Sequence, residues 1–174
     1  MSSLHAIHVV GARPNFVKAA PVLSALGRRA VLQTLIRTGQ HYDSNMTDVF
    51  FEELEMPPPA VNLEVGSGSH AVQTAQIMVR FEEAIQASRP DLALVYGNVN
   101  SAIAASLVCA NLLVPVGHVE AGLRSFDRTM PEEINRLLAR HGPAGGRGGE
   151  HTSRRREARS GTAAVGWPRC RPYR

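Results

Sequence analysis

At 174 residues, 44% hydrophobic and with a formal net charge of +4, the chain has the length for one ordinary domain and the composition of a globular protein. No apolar run approaches the roughly 18 residues of a membrane-spanning helix, and MSSLHAIHVV has no positive region followed by a cleavable apolar segment, so a cytoplasmic protein with no membrane partner is expected. The positive charge is local, since residues 141–174 carry a balance of +6 and residues 1–140 one of −2, so it says little about what the folded part binds and no nucleic-acid partner is expected.

In chain order, HAIHVVG (His5–Gly11) is a short apolar run ending in glycine and predicts a buried strand. A helix is predicted from Pro14 to Gly27, with Phe16, Val17, Ala20, Leu23 and Leu26 at helical spacing. VLQTLIR (Val31–Arg37) is the next strand, and a helical stretch over 44–54 ends before Pro57-Pro58-Pro59. His70 to Ser88 has helical period, Leu92–Gly97 is a strand, and Ser101–Leu112 is an alanine-rich helix. PVGHVE (Pro115–Glu120) is a further strand, and a helix starts at Pro131 and runs to Arg140. Strands alternating with helices predict an α/β fold, a Rossmann-like parallel sheet with helices on both faces. Ligands of such sheets bind beyond the carboxyl ends of the strands. The polar segments 11–18, 38–43, 97–101 and 120–128 should therefore share one rim.

After Arg140 the pattern stops. Residues 141–174 contain no Leu, Ile, Met or Phe and hold seven of the 15 glycines, a composition that cannot bury enough surface to order itself. A disordered Arg/Gly-rich tail over 141–174 is expected, apart from a domain at 1–140. An Arg/Gly/Ala/Pro mixture that starts inside a helix is what a shifted reading frame in a GC-rich gene yields, so the tail is expected to be non-native. Cys109 lies in an apolar stretch and Cys170 in this tail, which suggests neither a disulfide framework nor a zinc site.

Chemistry gathers at three places. Gly11-Ala12-Arg13-Pro14-Asn15-Phe16-Val17-Lys18 joins the first strand to the first helix, where glycine permits close backbone approach and a helix start favours an anion. Arg13 and Lys18 read equally as phosphate contacts or as surface cations. The segment is neither GxGxxG nor a Walker loop, so no dinucleotide or ATP is indicated. Thr38-Gly39-Gln40-His41 follows the second strand, and His41 reads as a ligand contact or as a surface residue. The histidines show no metal-ligand spacing, and no metal site is expected. His118-Val119-Glu120 ends an apolar strand, where a carboxylate is costly unless paired or used, so Glu120 reads as functional. Glu132 and Glu133 open a helix, where dipole stabilisation alone accounts for them, although with Glu120 they could divide acid and base roles.

GARPNFVKAAPV, TGQHYD, VYGNVNS and HVEAGLRSFDRTMPEEINR occur in an order and spacing that resemble the amino-terminal half of non-hydrolysing UDP-N-acetylglucosamine 2-epimerases, over about residues 5–140. The resemblance implies one half of a glycosyltransferase-B-type fold. It implies an isomerase that interconverts UDP-N-acetylglucosamine and UDP-N-acetylmannosamine by eliminating UDP and adding it back, with no metal or redox cofactor. Its partners would be a UDP-sugar substrate and, in the intact form, a second copy in a homodimer. By position, Glu120 and Glu132 match catalytic carboxylates, Arg13 and Lys18 match basic residues important to activity, and Gln40 and His41 match a loop tied to a regulatory UDP-N-acetylglucosamine site in some members. Asn98 stands where the family pattern has a catalytic aspartate, and an amide neither ionises nor takes up a proton usefully. The family's second domain has no counterpart in this sequence. The chain by itself is therefore expected not to epimerise, and the alternative is a degenerate nucleotide-sugar-binding module without catalysis.

Overall fold

The computed structural model describes residues 4–39 and 51–141. In chain order these form β1 (His5–Val10), α1 (Arg13–Gly27), β2 (Leu32–Arg37), β3 (Val61–Asn62), α2 (His70–Ser88), β4 (Leu92–Tyr96), α3 (Asn100–Asn111), β5 (Val116–Val119) and α4 (Pro131–His141). The five strands make one sheet in the order β3-β2-β1-β4-β5, every pair parallel. His8 of central β1 stands opposite Leu35 on one side and Leu94 on the other. The chain runs outward from β1 through β2 to β3, then returns to start again at β4. The switch in direction lies between β1 and β4, where open α/β sheets place their ligands.

Alternate side chains of the strands enter two cores. Ile7, Val9, Ile36, Ala93 and Val95 pack against Ile77, Phe81 and Ile85 of α2 and Ala102, Ala105, Val108 and Cys109 of α3. Burial pushes the Cys109 thiol up to about 12, so it packs as a small hydrophobe. On the other face Val10, Leu35, Leu94 and Tyr96 meet Phe16, Ala19 and Leu23 of α1, with Phe51 and Met56 behind. Coverage on both sides explains why β1 and β4 read as continuous apolar runs. The alanines of α3 let it lie close to the sheet while α2 and α4 pack against it.

His8 interrupts the second core. Its Nδ1 accepts from the Tyr96 hydroxyl at 2.6 Å, and its Nε2 donates to Gln33 Oε1 at 3.0 Å. Gln33 Nε2 in turn donates to the Leu23 carbonyl at 3.2 Å, which fixes the orientation of the amide. Every polar atom of this chain of contacts is thereby satisfied within the fold. Burial lowers His8 from 6.5 to about 4, against a smaller upward pull from Gln33, and raises the Tyr96 hydroxyl.

The strands fall within a residue of their predicted bounds, except β3, which the sequence reading did not name. The stretch predicted helical over 44–54 lies mostly outside the described residues, with Phe51–Glu53 helical. The tail over 141–174 also lies outside them, save for His141 at the end of α4. Among the described residues no helix is long and apolar enough to cross a membrane.

The carboxyl ends of the strands are tied edge to edge. Thr38 N donates to Val10 O at 2.9 Å, Gly97 N donates to Val119 O at 3.1 Å, and the Thr38 and Ser101 hydroxyls meet at 2.8 Å. Gly11 sits under that hydroxyl pair: a Cβ there would lie 2.1 Å from Ser101 Oγ and 3.0 Å from Thr38 Oγ1. Gly11→Ala is therefore expected to destabilise the domain by about 1–3 kcal/mol through overpacking. Urea unfolding of the two proteins measures it, and an unchanged midpoint would refute it.

Candidate functional site

The described parts of the four predicted polar segments meet along this rim, and the β1–α1 turn is its fixed point. Ala12 precedes α1 with extended backbone and has no side-chain acceptor to cap the helix. Asn15 does that work from inside the first turn: its Oδ1 accepts from Gly11 N at 3.1 Å and Ala12 N at 3.0 Å. Its Nδ2 donates to the Tyr96 carbonyl at 2.9 Å, so one buried amide clamps the start of α1 to the end of β4. Arg13 is the first residue of α1, and Lys18 follows in its second turn.

Lys18 Nζ is paired with Glu120 Oε2, and each side chain keeps 31% of its surface exposed. Glu120 lies just past β5 with φ of 69°, a left-handed conformation that non-glycine residues adopt at a cost of about 1 kcal/mol or more. Beneath the pair is Gly97, with φ of 68°, where a Cβ would stand 3.4 Å from Lys18 Nζ, 3.4 Å from Asn15 Nδ2 and 3.8 Å from Glu120 Oε2. Glycine answers both demands, the left-handed turn and the bare floor. A basic residue from the first helix and an acid just past the last strand thus meet at the crevice.

His118, two residues before Glu120, supports the same floor. Its Nε2 lies 2.6 Å from the Gly97 carbonyl, which can only accept, so Nε2 carries the proton. Its Nδ1 is a buried acceptor without a hydrogen-bond partner among the described residues. Burial lowers the imidazole below its ordinary value, the Gly97 contact and Glu120 pull it up, and Arg136 pushes it down. A neutral His118 therefore braces the Gly97–Asn98 turn. His118 lies inside the HVEAGLR motif, yet its residue type and position there assign it no task. The only signal for one was its in-phase spacing with Glu120 on a strand.

Asn98 is half-buried in that turn, and its backbone carbonyl accepts from Asn135 Nδ2 at 3.2 Å. Asn135 Nδ2 also reaches Asn100 Oδ1 at 3.1 Å, and Asn100 is held by His70 at 3.1 Å and Gln73 at 2.9 Å. These amides join α4 and α2 to the turn after β4. Gln40 and His41 lie outside the described residues.

The two acids that open α4 differ sharply. Glu132 is exposed, whereas Glu133 is fully buried. Glu133 accepts from Arg124 Nε at 2.6 Å, from Arg136 Nη1 at 2.5 Å, and from the Ser125 backbone N at 3.1 Å and hydroxyl at 3.2 Å. The Arg124 hydrogen bond, helped by Ser125, holds its carboxyl down at about 2. Helix-dipole stabilisation, which the sequence offered as sufficient for both acids, leaves out this role. Glu133 anchors the loop after Glu120 to α4. Its folded value lies below the ordinary 4.5, so its contribution is present above that pH and is lost as pH falls toward 2. Glu133→Gln is expected to lower the thermal midpoint clearly, since Arg124 and Arg136 lose their counter-charge. Glu132→Gln should stay within about 0.5 kcal/mol of the parent, as surface changes do. Calorimetry of the two variants decides it, and equal midpoints would refute the distinction.

Among the described residues, no group of three or more His, Cys, Asp or Glu could hold a metal ion. The arrangement instead offers an anion-favouring turn, a cation and a carboxylate at a sheet edge, suited to proton transfer beside a phosphorylated leaving group.

A sequence profile described as UDP-N-acetylglucosamine 2-epimerase matches residues 24–142. The chain is 53% identical over 135 residues to a UDP-N-acetylglucosamine 2-epimerase homolog of Methanococcus maripaludis, covering 78% of this chain and 38% of that one. It is 44% identical over 131 residues to the UDP-2,3-diacetamido-2,3-dideoxy-D-glucuronate 2-epimerase of Pseudomonas aeruginosa, covering 75% of this chain and 37% of that one. Among solved structures it resembles Methanocaldococcus jannaschii UDP-GlcNAc 2-epimerase in complex with UDP-GlcNAc and UDP, with a TM-score of 0.76 and 43% identity, covering 79% of this chain and 38% of that one. The chain thus spans well under half the length of the relatives it matches.

Proposed function

Because the chain belongs to the UDP-N-acetylglucosamine 2-epimerase family, we propose that residues 1–140 form the lobe that supplies acid–base and leaving-group chemistry to the 2-epimerisation of a UDP-linked 2-acetamido sugar. The pairing of Lys18 with Glu120 over Gly97 is the observation that carries this reading. Glu120 takes the proton from C2. The C–H electron pair becomes a C1=C2 double bond as the C1–O bond breaks, and its electrons leave on the diphosphate of UDP. Arg13 and Lys18 meet the charge that develops there, where preorganised cations act most strongly. Glu132 acts from the other side of the sugar in the return step, giving C2 its proton on the opposite face as UDP adds back. Gln40 and His41 belong to the loop for a second, regulatory nucleotide-sugar.

The first substrate to test is UDP-N-acetylglucosamine, with UDP-N-acetylmannosamine as product. The Pseudomonas relative favours a second reading, a diacetamido uronate, at similar identity. Catalysis requires the rest of the cleft, so the 174-residue chain alone is inactive. The intact form is a homodimer.

The test is a chimera that joins residues 1–141 to the remaining portion of the Methanocaldococcus relative. It is incubated with UDP-N-acetylglucosamine in deuterated water and followed by proton NMR. Deuterium at C2 and appearance of the manno product are expected. Binding without exchange would instead identify a recognition module. Asn98 is the residue that favours that alternative. Asn98→Asp is expected to raise the exchange rate of the chimera by at least about tenfold, toward the effect of one acid–base group. Equal rates would show that the amide suffices.

A further inference from the structure

We propose that Lys18 keeps the Glu120 carboxylate engaged until an incoming diphosphate takes over the ammonium, so that the base is released only when a substrate is seated. The inference rests on Glu120 being the proton-abstracting base.

The contact itself motivates it. A carboxylate oxygen that accepts from an ammonium has that lone pair occupied, and must give up the contact before a proton can be taken up there. In this protein the proposed base is in that state, with Lys18 Nζ on Glu120 Oε2. Both side chains are about one-third exposed, at 31% each, so an anion in solvent can reach the pair.

The partners differ in freedom. Lys18 carries a point charge on a flexible four-carbon stem and can swing to a new acceptor without moving its helix. Glu120 follows β5 directly and has a left-handed backbone, so its carboxylate is tethered close to the rim. When the ammonium swings away, the carboxylate stays. The floor permits the motion, since Gly97 places no side chain beneath either group.

The exchange has a direction. The first turn of α1 presents its helix start and Arg13 at the same rim. A diphosphate there offers several negative oxygens to Lys18, where Glu120 offers one charge, and Coulomb attraction favours the larger charge. The ammonium trades a carboxylate acceptor for a phosphate acceptor, and no proton or electron moves in the trade. The buried acid nearby cannot substitute, because Glu133 is committed to Arg124, Arg136 and Ser125.

Calorimetric titration of inorganic pyrophosphate into the full 174-residue chain, at neutral pH and low salt, tests this. Glu120→Gln removes the competitor and should tighten binding about tenfold, equivalent to 1.4 kcal/mol. Glu120→Asp keeps the charge but shortens the reach to Lys18, and should tighten binding in the same direction. Lys18→Met should weaken binding, with Arg13 keeping it measurable. In the Lys18→Met background Glu120→Gln should then give no gain, which separates handover of the ammonium from simple repulsion of the anion. Far-ultraviolet circular dichroism of each variant verifies folding. An unchanged or weaker affinity in Glu120→Gln, or the same gain with and without Lys18, would overturn the inference and leave the proposed function standing. No pyrophosphate binding in any variant would also overturn the inference, and the chimera decides the proposed function separately.

Discussion

Glu120→Gln in the chimeric enzyme should slow exchange of the C2 proton by about 10²–10⁴-fold, the loss typical of removing a general base. Glutamine preserves the size and planarity of the side chain, so the backbone after β5 has no reason to move. The amide has no useful affinity for a proton, and the departing C2 proton has no acceptor. Binding should move the other way, since the variant no longer competes for Lys18. The expected pattern is a collapse of kcat with KM unchanged or lower, which marks a group needed in the transition state rather than for recognition. Steady-state kinetics with deuterium incorporation measures both. A rate within a few-fold of the parent would remove Glu120 from the chemistry.

Acid should unfold this domain earlier than its carboxylates alone would dictate. His8 has a folded value of about 4 against 6.5 when exposed, so between those values the unfolded chain binds more protons. Stability therefore rises with pH through that window. It is fully present above 6.5 and is progressively lost as pH falls toward 4. A difference of about 2.5 units corresponds to about 3 kcal/mol, a large part of the stability of a domain this size. His118 is lowered too and adds in the same direction. Urea unfolding at a series of pH values measures the slope. In His8→Gln the part of the slope due to this imidazole should vanish, although the variant is less stable throughout. A parent whose stability is flat from neutral pH to 4 would refute the assignment.

The sheet was legible because both its faces are covered. Burial on two sides writes itself as runs such as AIHVV and LALVY, and the turns between them carry glycine and proline. β3 was not legible, since a two-residue strand after three prolines has no period to detect, and its pairing with Ile36 and Arg37 is decided by the neighbouring strand. The rim followed from topology: in a parallel sheet every strand ends on the same side, so Lys18 and Glu120 were bound to be near each other. Their contact was not readable, because it depends on the left-handed turn at Glu120 and on how far Lys18 reaches. Nor could adjacent acids be told apart. Glu132 and Glu133 have the same chemistry and both lie in the first turn of a helix, and only the packing of α4 turns one to water and the other toward Arg124. α4 also breaks the usual rule for amphipathic helices, burying Glu133 and Ala139 while Ile134 and Leu138 remain 38% and 50% exposed.

The clamp made by Asn15 has a dynamic consequence. A single amide grips the amides of Gly11 and Ala12 with one end and the Tyr96 carbonyl with the other, so the two lips of the crevice cannot part without breaking the Tyr96 hydrogen bond or releasing Asn15 from its own turn. This edge behaves as an anvil, and a molecule seated on it meets a rim that keeps its shape.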